Sequence, residues 1–107
     1  MLGTGNPNAD PERFEPATVI LVDSTAYLID CGIGVVRRWA AAGQANPGVP
    51  KPWTLGHLFI THLHSDHTLG YADVIFSSWT LAGGHLPTLR VFGPTGTRLM
   101  TEHLLAA

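Results

Sequence analysis

The sequence predicts an α/β fold, and three observations predict it. Two short, β-branched apolar segments face each other across a turn early in the chain. Further along, apolar runs of strand length alternate with segments of helical spacing. Stretches bearing Gly or Pro separate these segments, as connecting turns require.

Taken in order, Met1-Leu2-Gly3-Thr4-Gly5 reads as the end of a strand entering a loop. A phosphate-binding loop would need a further Gly and a Lys, so a tight turn explains Gly3-Thr4-Gly5. Residues 5–16, with Asn, Asp, Gly and three prolines, form a loop. Residues 17–22 (ATVILV) and 26–29 (AYLI) are strands, and Asp23-Ser24-Thr25 makes them a hairpin. Asp30-Cys31-Gly32 closes the second strand. Residues 33–42 show helical spacing at Ile33, Val36, Trp39 and Ala40, with Gly43 as the stop. Residues 44–52 connect to a buried-strand candidate at 57–61 (HLFIT). A helix should begin near Asp66 and His67, another covers 71–82 before Gly83-Gly84, and 89–92 is a strand. Gly93-Pro94-Thr95-Gly96 turns the chain into a last helix from Thr97.

Composition narrows the function classes. At 107 residues the chain fits one small domain, 45% hydrophobic. The formal net charge is -2, and Arg37-Arg38 is the only adjacent basic pair. Nothing there forms the clustered Lys and Arg of a nucleic-acid surface. Cys31 is the single cysteine, so no disulfide forms within the chain, and a buried structural thiol is expected. No run of about 18 apolar residues is present to span a membrane. No basic region followed by an apolar stretch marks a signal peptide, and the compartment stays open.

The chemistry concentrates in His62-Leu63-His64-Ser65-Asp66-His67, where three of the six histidines fall beside an aspartate. Extended residues two apart point to one side, so His62 and His64 can converge on one ion. The turn into the following helix swings Asp66 and His67 to the other side of the same small volume. Imidazoles with a carboxylate suit zinc, and manganese or iron also accept such a set. No packing rule asks for four such residues at this spacing. Asp66 could also cap a helix N-terminus, a job compatible with binding metal. Asp30, at a strand end, is either a turn residue or a partner holding a metal-bound histidine. His57, His85 and His103 stand apart as surface or packing residues, and Trp39, Trp53 and Trp79 as core or interface.

Thr61–Gly70 (THLHSDHTLG) resembles the His-x-His-x-Asp-His signature of the metallo-β-lactamase superfamily. Leu2-Gly3-Thr4-Gly5, Tyr27-Leu28-Ile29-Asp30-Cys31-Gly32 and Val91-Phe92-Gly93-Pro94 are similar to its ribonuclease Z-like branch. The likeness therefore covers most of the chain.

The resemblance implies an αββα sandwich, two facing β-sheets flanked by helices, with metals at one edge. It makes His62 and His64 ligands of a first metal, Asp66 and His67 ligands of a second, and Asp30 an acidic support. The family's third histidine, bridging aspartate and final histidine lie further downstream, and His85, Glu102 and His103 do not stand in for them. Residues 1–107 are therefore expected to be the N-terminal part of an incomplete domain. In the complete domain two Zn2+ ions, roughly 3.5–4 Å apart, would activate water and polarise an ester. Asp66 would orient that water or take its proton. The expected substrate is a phosphodiester, as in tRNA 3′ processing, with sulfate or other small esters as the alternative. A non-catalytic metal-binding or interaction module is the reading from another class. Half a sandwich exposes an apolar sheet face, so a partner, such as a second copy in a homodimer, is also expected.

Overall fold

The computed structural model describes residues 1–81 and 88–106. Four strands form one mixed sheet in the order β1 (Thr18–Val22), β2 (Thr25–Ile29), β3 (His57–Phe59) and β4 (Arg90–Phe92). β1 and β2 are the expected antiparallel hairpin, pairing Val22 with Thr25 and Thr18 with Ile29. β3 lies parallel to both β2 and β4. Parallel neighbours need crossover connections, and the helical segments supply them. Helix α1 (Val35–Ala45) links β2 to β3, while α2 (Ser65–Thr68) and α3 (Tyr71–Leu81) lie between β3 and β4. Helix α4 (Thr97–Ala106) closes the described chain.

Strand alternation sorts the side chains onto two faces. Ala26, Leu28 and Leu58 point into a core completed by Val35, Val36 and Trp39 of α1 and Tyr71 and Val74 of α3. Leu28 and Leu58 are wholly removed from solvent, a burial worth about 1.5–3 kcal/mol per side chain. On the other face Tyr27 lies 5.0 Å from the His57 ring, and Phe59 stacks on Phe92 at 5.1 Å. Ile20, Phe59 and Phe92 there remain 45%, 38% and 48% exposed. The expectation of an exposed apolar sheet face thus has a physical counterpart.

Several boundaries move, each for a local reason. α1 runs through Gly43 to Ala45, so Gly43 is not its stop. A mid-helix Gly costs only about 1 kcal/mol against Ala, and the Trp39 indole N–H, donating to the Pro50 carbonyl at 2.7 Å, ties the helix to the loop beyond it. Asn46 then closes the helix, its backbone N–H donating to the Ala42 carbonyl. β3 stops at Phe59 rather than Thr61, because the Thr61 amide leaves the ladder for the Asp30 carboxylate. Pro52–Thr54 forms a 3-10 turn inside what reads as connecting loop, with proline suited to a first helical position. Gly3 pairs with Ala17 in an isolated antiparallel bridge, the strand end expected at the N-terminus. The end of the 71–82 helix, its Gly83-Gly84 stop and His85 lie outside the described residues.

Candidate metal centre

The site assembles where β2 and β3 end side by side. Register places Ile29 opposite Phe59, so the next residues of both strands emerge together. Asp30 takes a left-handed backbone conformation, φ 60°, which Asp tolerates better than most residues. Its amide donates to the Phe59 carbonyl at 2.8 Å, and the residue is only 6% exposed. The carboxylate gathers three donors. The Thr61 amide donates to Oδ1 at 2.8 Å, the Thr61 hydroxyl lies 2.8 Å from Oδ2, and His67 Nδ1 lies 2.8 Å from Oδ2.

α2 is bound just as closely to the end of β2. The Cys31 amide donates to the His67 carbonyl at 2.9 Å, and the Gly70 amide donates to the Cys31 carbonyl at 2.8 Å. Only glycine fits this approach. A Cβ built on Gly32 would stand 2.5 Å from the Asp66 carbonyl oxygen and 2.4 Å from the Glu15 Cβ. Glu15 is itself buried, and its Oε2 accepts the Ile33 amide at 2.8 Å. That carboxylate carries no sequence motif, so only the fold reveals its part in holding the loop after β2.

These restraints bring His62, Asp66 and His67 together, with one potential ligand atom from each lying within 4.8 Å of the others. The His62 and His67 ring centroids are 4.1 Å apart. His67 Nε2 lies 3.5 Å from Asp66 Oδ2, and Asp66 is 8% exposed. His64 does not join this group of three, although its ring meets that of His62 edge-on at 4.8 Å. His64 instead occupies the N-cap of α2, with extended backbone and no side-chain cap bond. Asp66 is accordingly not the N-cap: it sits in the first helical turn, where its charge also suits the helix dipole. Of the two roles left open for Asp30, the structure shows the hydrogen-bonded partner of a histidine, His67.

Two imidazoles and a carboxylate at this separation form a donor set that fits zinc. The second nitrogens are already engaged, His67 Nδ1 by Asp30 and His62 Nδ1 by the Thr61 hydroxyl at 2.9 Å. Such outer hydrogen bonds orient metal-binding histidines. Thr61 escaped the sequence reading; its one signal is a hydroxyl directly before His62. Burial, together with the Asp30 charge, pushes the neighbouring Cys31 thiol up to about 12, which marks it as inert. No described helix is long and apolar enough to cross a membrane.

Known proteins resemble this chain over nearly its whole length. The family model described as Anti-Pycsar protein Apyc1 matches residues 1–106. Ribonuclease Z of Mycobacterium bovis (strain BCG / Pasteur 1173P2) is 40% identical over the whole chain, which spans 36% of that relative. Ribonuclease Z of Mycobacterium marinum is 39% identical, again over the whole chain and 37% of the relative. The crystal structure of human tRNase Z, short form (ELAC1), superposes with a TM-score of 0.78 at 28% identity. That match covers 98% of this chain and 37% of the human one. The chain thus spans little more than a third of the ribonuclease Z relatives it matches, corresponding to their N-terminal third. On the family match over residues 1–106, and with a fold that superposes on part of a tRNase Z, the chain belongs to the Anti-Pycsar protein Apyc1 family of the metallo-β-lactamase fold.

Proposed function

We propose that residues 1–107 supply one half of a two-metal site in a hydrolase that cleaves phosphodiesters. The observation that carries this is the convergence of His62, Asp66 and His67, with both imidazoles held from behind through Asp30. In this reading the chain is the N-terminal part of an αββα sandwich. A second sheet covers the apolar face of Ile20, Phe59 and Phe92. His62 and His64 hold the first Zn2+, and Asp66 and His67 hold the second. The His64 ring lies 4.8 Å from that of His62, within range to serve beside it as a ligand.

The bound ions would supply Lewis acidity, lowering the pKa of water toward about 7 and polarising the ester. The protein's part is position and proton handling. Asp30 keeps the His67 ring fixed before substrate arrives, and Asp66 orients the attacking water and accepts its proton on a carboxylate oxygen. A phosphodiester is favoured because ribonuclease Z and tRNase Z are among the proteins similar to nearly the whole chain. Mn2+ or iron would satisfy the same donors.

The test is a chimera joining residues 1–107 to the remaining two-thirds of the Mycobacterium bovis ribonuclease Z. It should carry two zinc ions, cleave bis-p-nitrophenyl phosphate and a tRNA precursor, and lose both activities on Asp66→Asn while staying folded. Equal turnover by Asp66→Asn, or cleavage of p-nitrophenyl sulfate alone, would overturn the assignment. Residues 1–107 by themselves should bind zinc weakly and hydrolyse neither substrate. Four ligands shared by two ions leave each with two protein donors, whereas catalytic zinc has about three.

A further inference from the structure

We infer that Thr61 is a positioning residue whose hydroxyl fixes the tautomer of His62, so that one carboxylate, Asp30, orients both imidazoles of the site. This rests on the reading of His62 as a metal ligand. Thr61 Oγ1 lies 2.8 Å from Asp30 Oδ2, 3.1 Å from Oδ1 and 2.9 Å from His62 Nδ1. The hydroxyl has one hydrogen for these neighbours. Were it donated to His62 Nδ1, the oxygen lone pairs would face the carboxylate lone pairs at 2.8 Å with no proton between them. The favourable arrangement sends the hydroxyl hydrogen to the carboxylate, as a charge-assisted bond. His62 must then carry its own proton on Nδ1 and donate it to Oγ1. Its Nε2 is left as the nitrogen with a free lone pair.

His67 is set directly in the same way, since Nδ1 lies 2.8 Å from Asp30 Oδ2 and its proton belongs there. Its Nε2 therefore carries the lone pair, 3.5 Å from Asp66 Oδ2. The Thr61 amide anchors the relay independently of the hydroxyl, donating to Asp30 Oδ1 at 2.8 Å. Thr61→Val consequently removes the relay but keeps the backbone bond and the shape. Thr61→Ser keeps both.

The experiment uses the metal-free 107-residue chain with 15N-labelled histidine, and long-range 1H–15N correlation at about pH 8.5, well above the ordinary imidazole pKa. Wild type and Thr61→Ser should show His62 protonated on Nδ1. Thr61→Val should move that proton toward Nε2 and leave His67 unchanged. A wild-type His62 protonated mainly on Nε2 would overturn the inference, and this holds even if Thr61→Val fails to fold. Zinc affinity, read by competition with a chromophoric chelator, should fall about 10–100-fold in Thr61→Val, the usual effect of removing such a partner. It should stay near wild type in Thr61→Ser. A tautomer shift with unchanged zinc affinity would uphold the relay and overturn the reading of His62 as a ligand.

Discussion

Asp30→Asn perturbs the site with little disturbance elsewhere. Asn tolerates the left-handed backbone that Asp30 adopts at φ 60°, and it matches the volume of a residue only 6% exposed. Its single amide oxygen can still accept the Thr61 amide. The NH2 group that replaces Oδ2 is a donor, and it faces the Thr61 hydroxyl and His67 Nδ1, each 2.8 Å away in the wild type. Donating to Nδ1 transfers the His67 proton to Nε2, aiming an N–H where a lone pair is needed. Hydrogen bonds to charged groups contribute about 1.5–3 kcal/mol, against roughly 0.5–1.5 for neutral ones. Each of the three bonds therefore loses about 1 kcal/mol of charge assistance, roughly 3 kcal/mol of stability in all. A domain with about 5–15 kcal/mol of total stability stays folded through that. Zinc affinity should fall about 10–100-fold. Urea unfolding measures the first quantity and chelator competition the second. Wild-type zinc affinity in a folded Asp30→Asn chain would refute the claim that Asp30 orients the site.

Two further outcomes follow from packing and burial. Gly32→Ala must displace both the Glu15 Cβ and the α2 backbone, since the new Cβ would lie 2.4 Å and 2.5 Å from them. It should destabilise by at least about 1–3 kcal/mol in urea unfolding and also weaken zinc binding, whereas a neutral effect would show that α2 is not held against the end of β2. Stability should fall as pH rises above 9.0, the ordinary Cys value, toward about 12, where the buried Cys31 thiol ionises in the native state. Over that window the unfolded chain has lost the proton and the native chain retains it, so each pH unit favours unfolding. Burial raises the Tyr71 pKa as well and adds in the same direction. Thermal melts across this range should show a shallower decline in Cys31→Ala, and an unchanged slope would contradict the assignment.

The hairpin, α1, α3 and the histidine cluster were legible because each is specified by residues close in sequence. Alternation marks β1 and β2, and the repeat of Val36 and Trp39 marks the buried stripe of α1. What the sequence hid depends on long-range partners. The partners of the Asp30 carboxylate lie 31 and 37 residues away, at Thr61 and His67, and no spacing rule connects them. Glu15 reaches Ile33 across 18 residues in the same manner. The departure of His64 from the group of three has a local cause: two-residue periodicity holds only inside a strand, and β3 has ended at Phe59.

That early ending ties the chemistry to the core. Asp30 and Thr61 meet because β2 and β3 pair with Leu28 opposite Leu58 and Ile29 opposite Phe59. Leu28 and Leu58 are fully buried against the helices, while Phe59 faces the open side. Slipping β3 by one residue would turn Leu58 toward solvent and Phe59 into the core, so the hydrophobic pattern enforces this register. The same slip would carry Thr61 about 3.3 Å along the strand axis, beyond reach of the Asp30 carboxylate. His62 would then lose the bond that orients it, and His67 would keep its own only through the connections of α2 to Cys31 and Gly70. Two leucines with no polar atom in their side chains thus set the hydrogen-bonded geometry of the site, which is why a site made of short-range motif residues still requires the whole sheet to form.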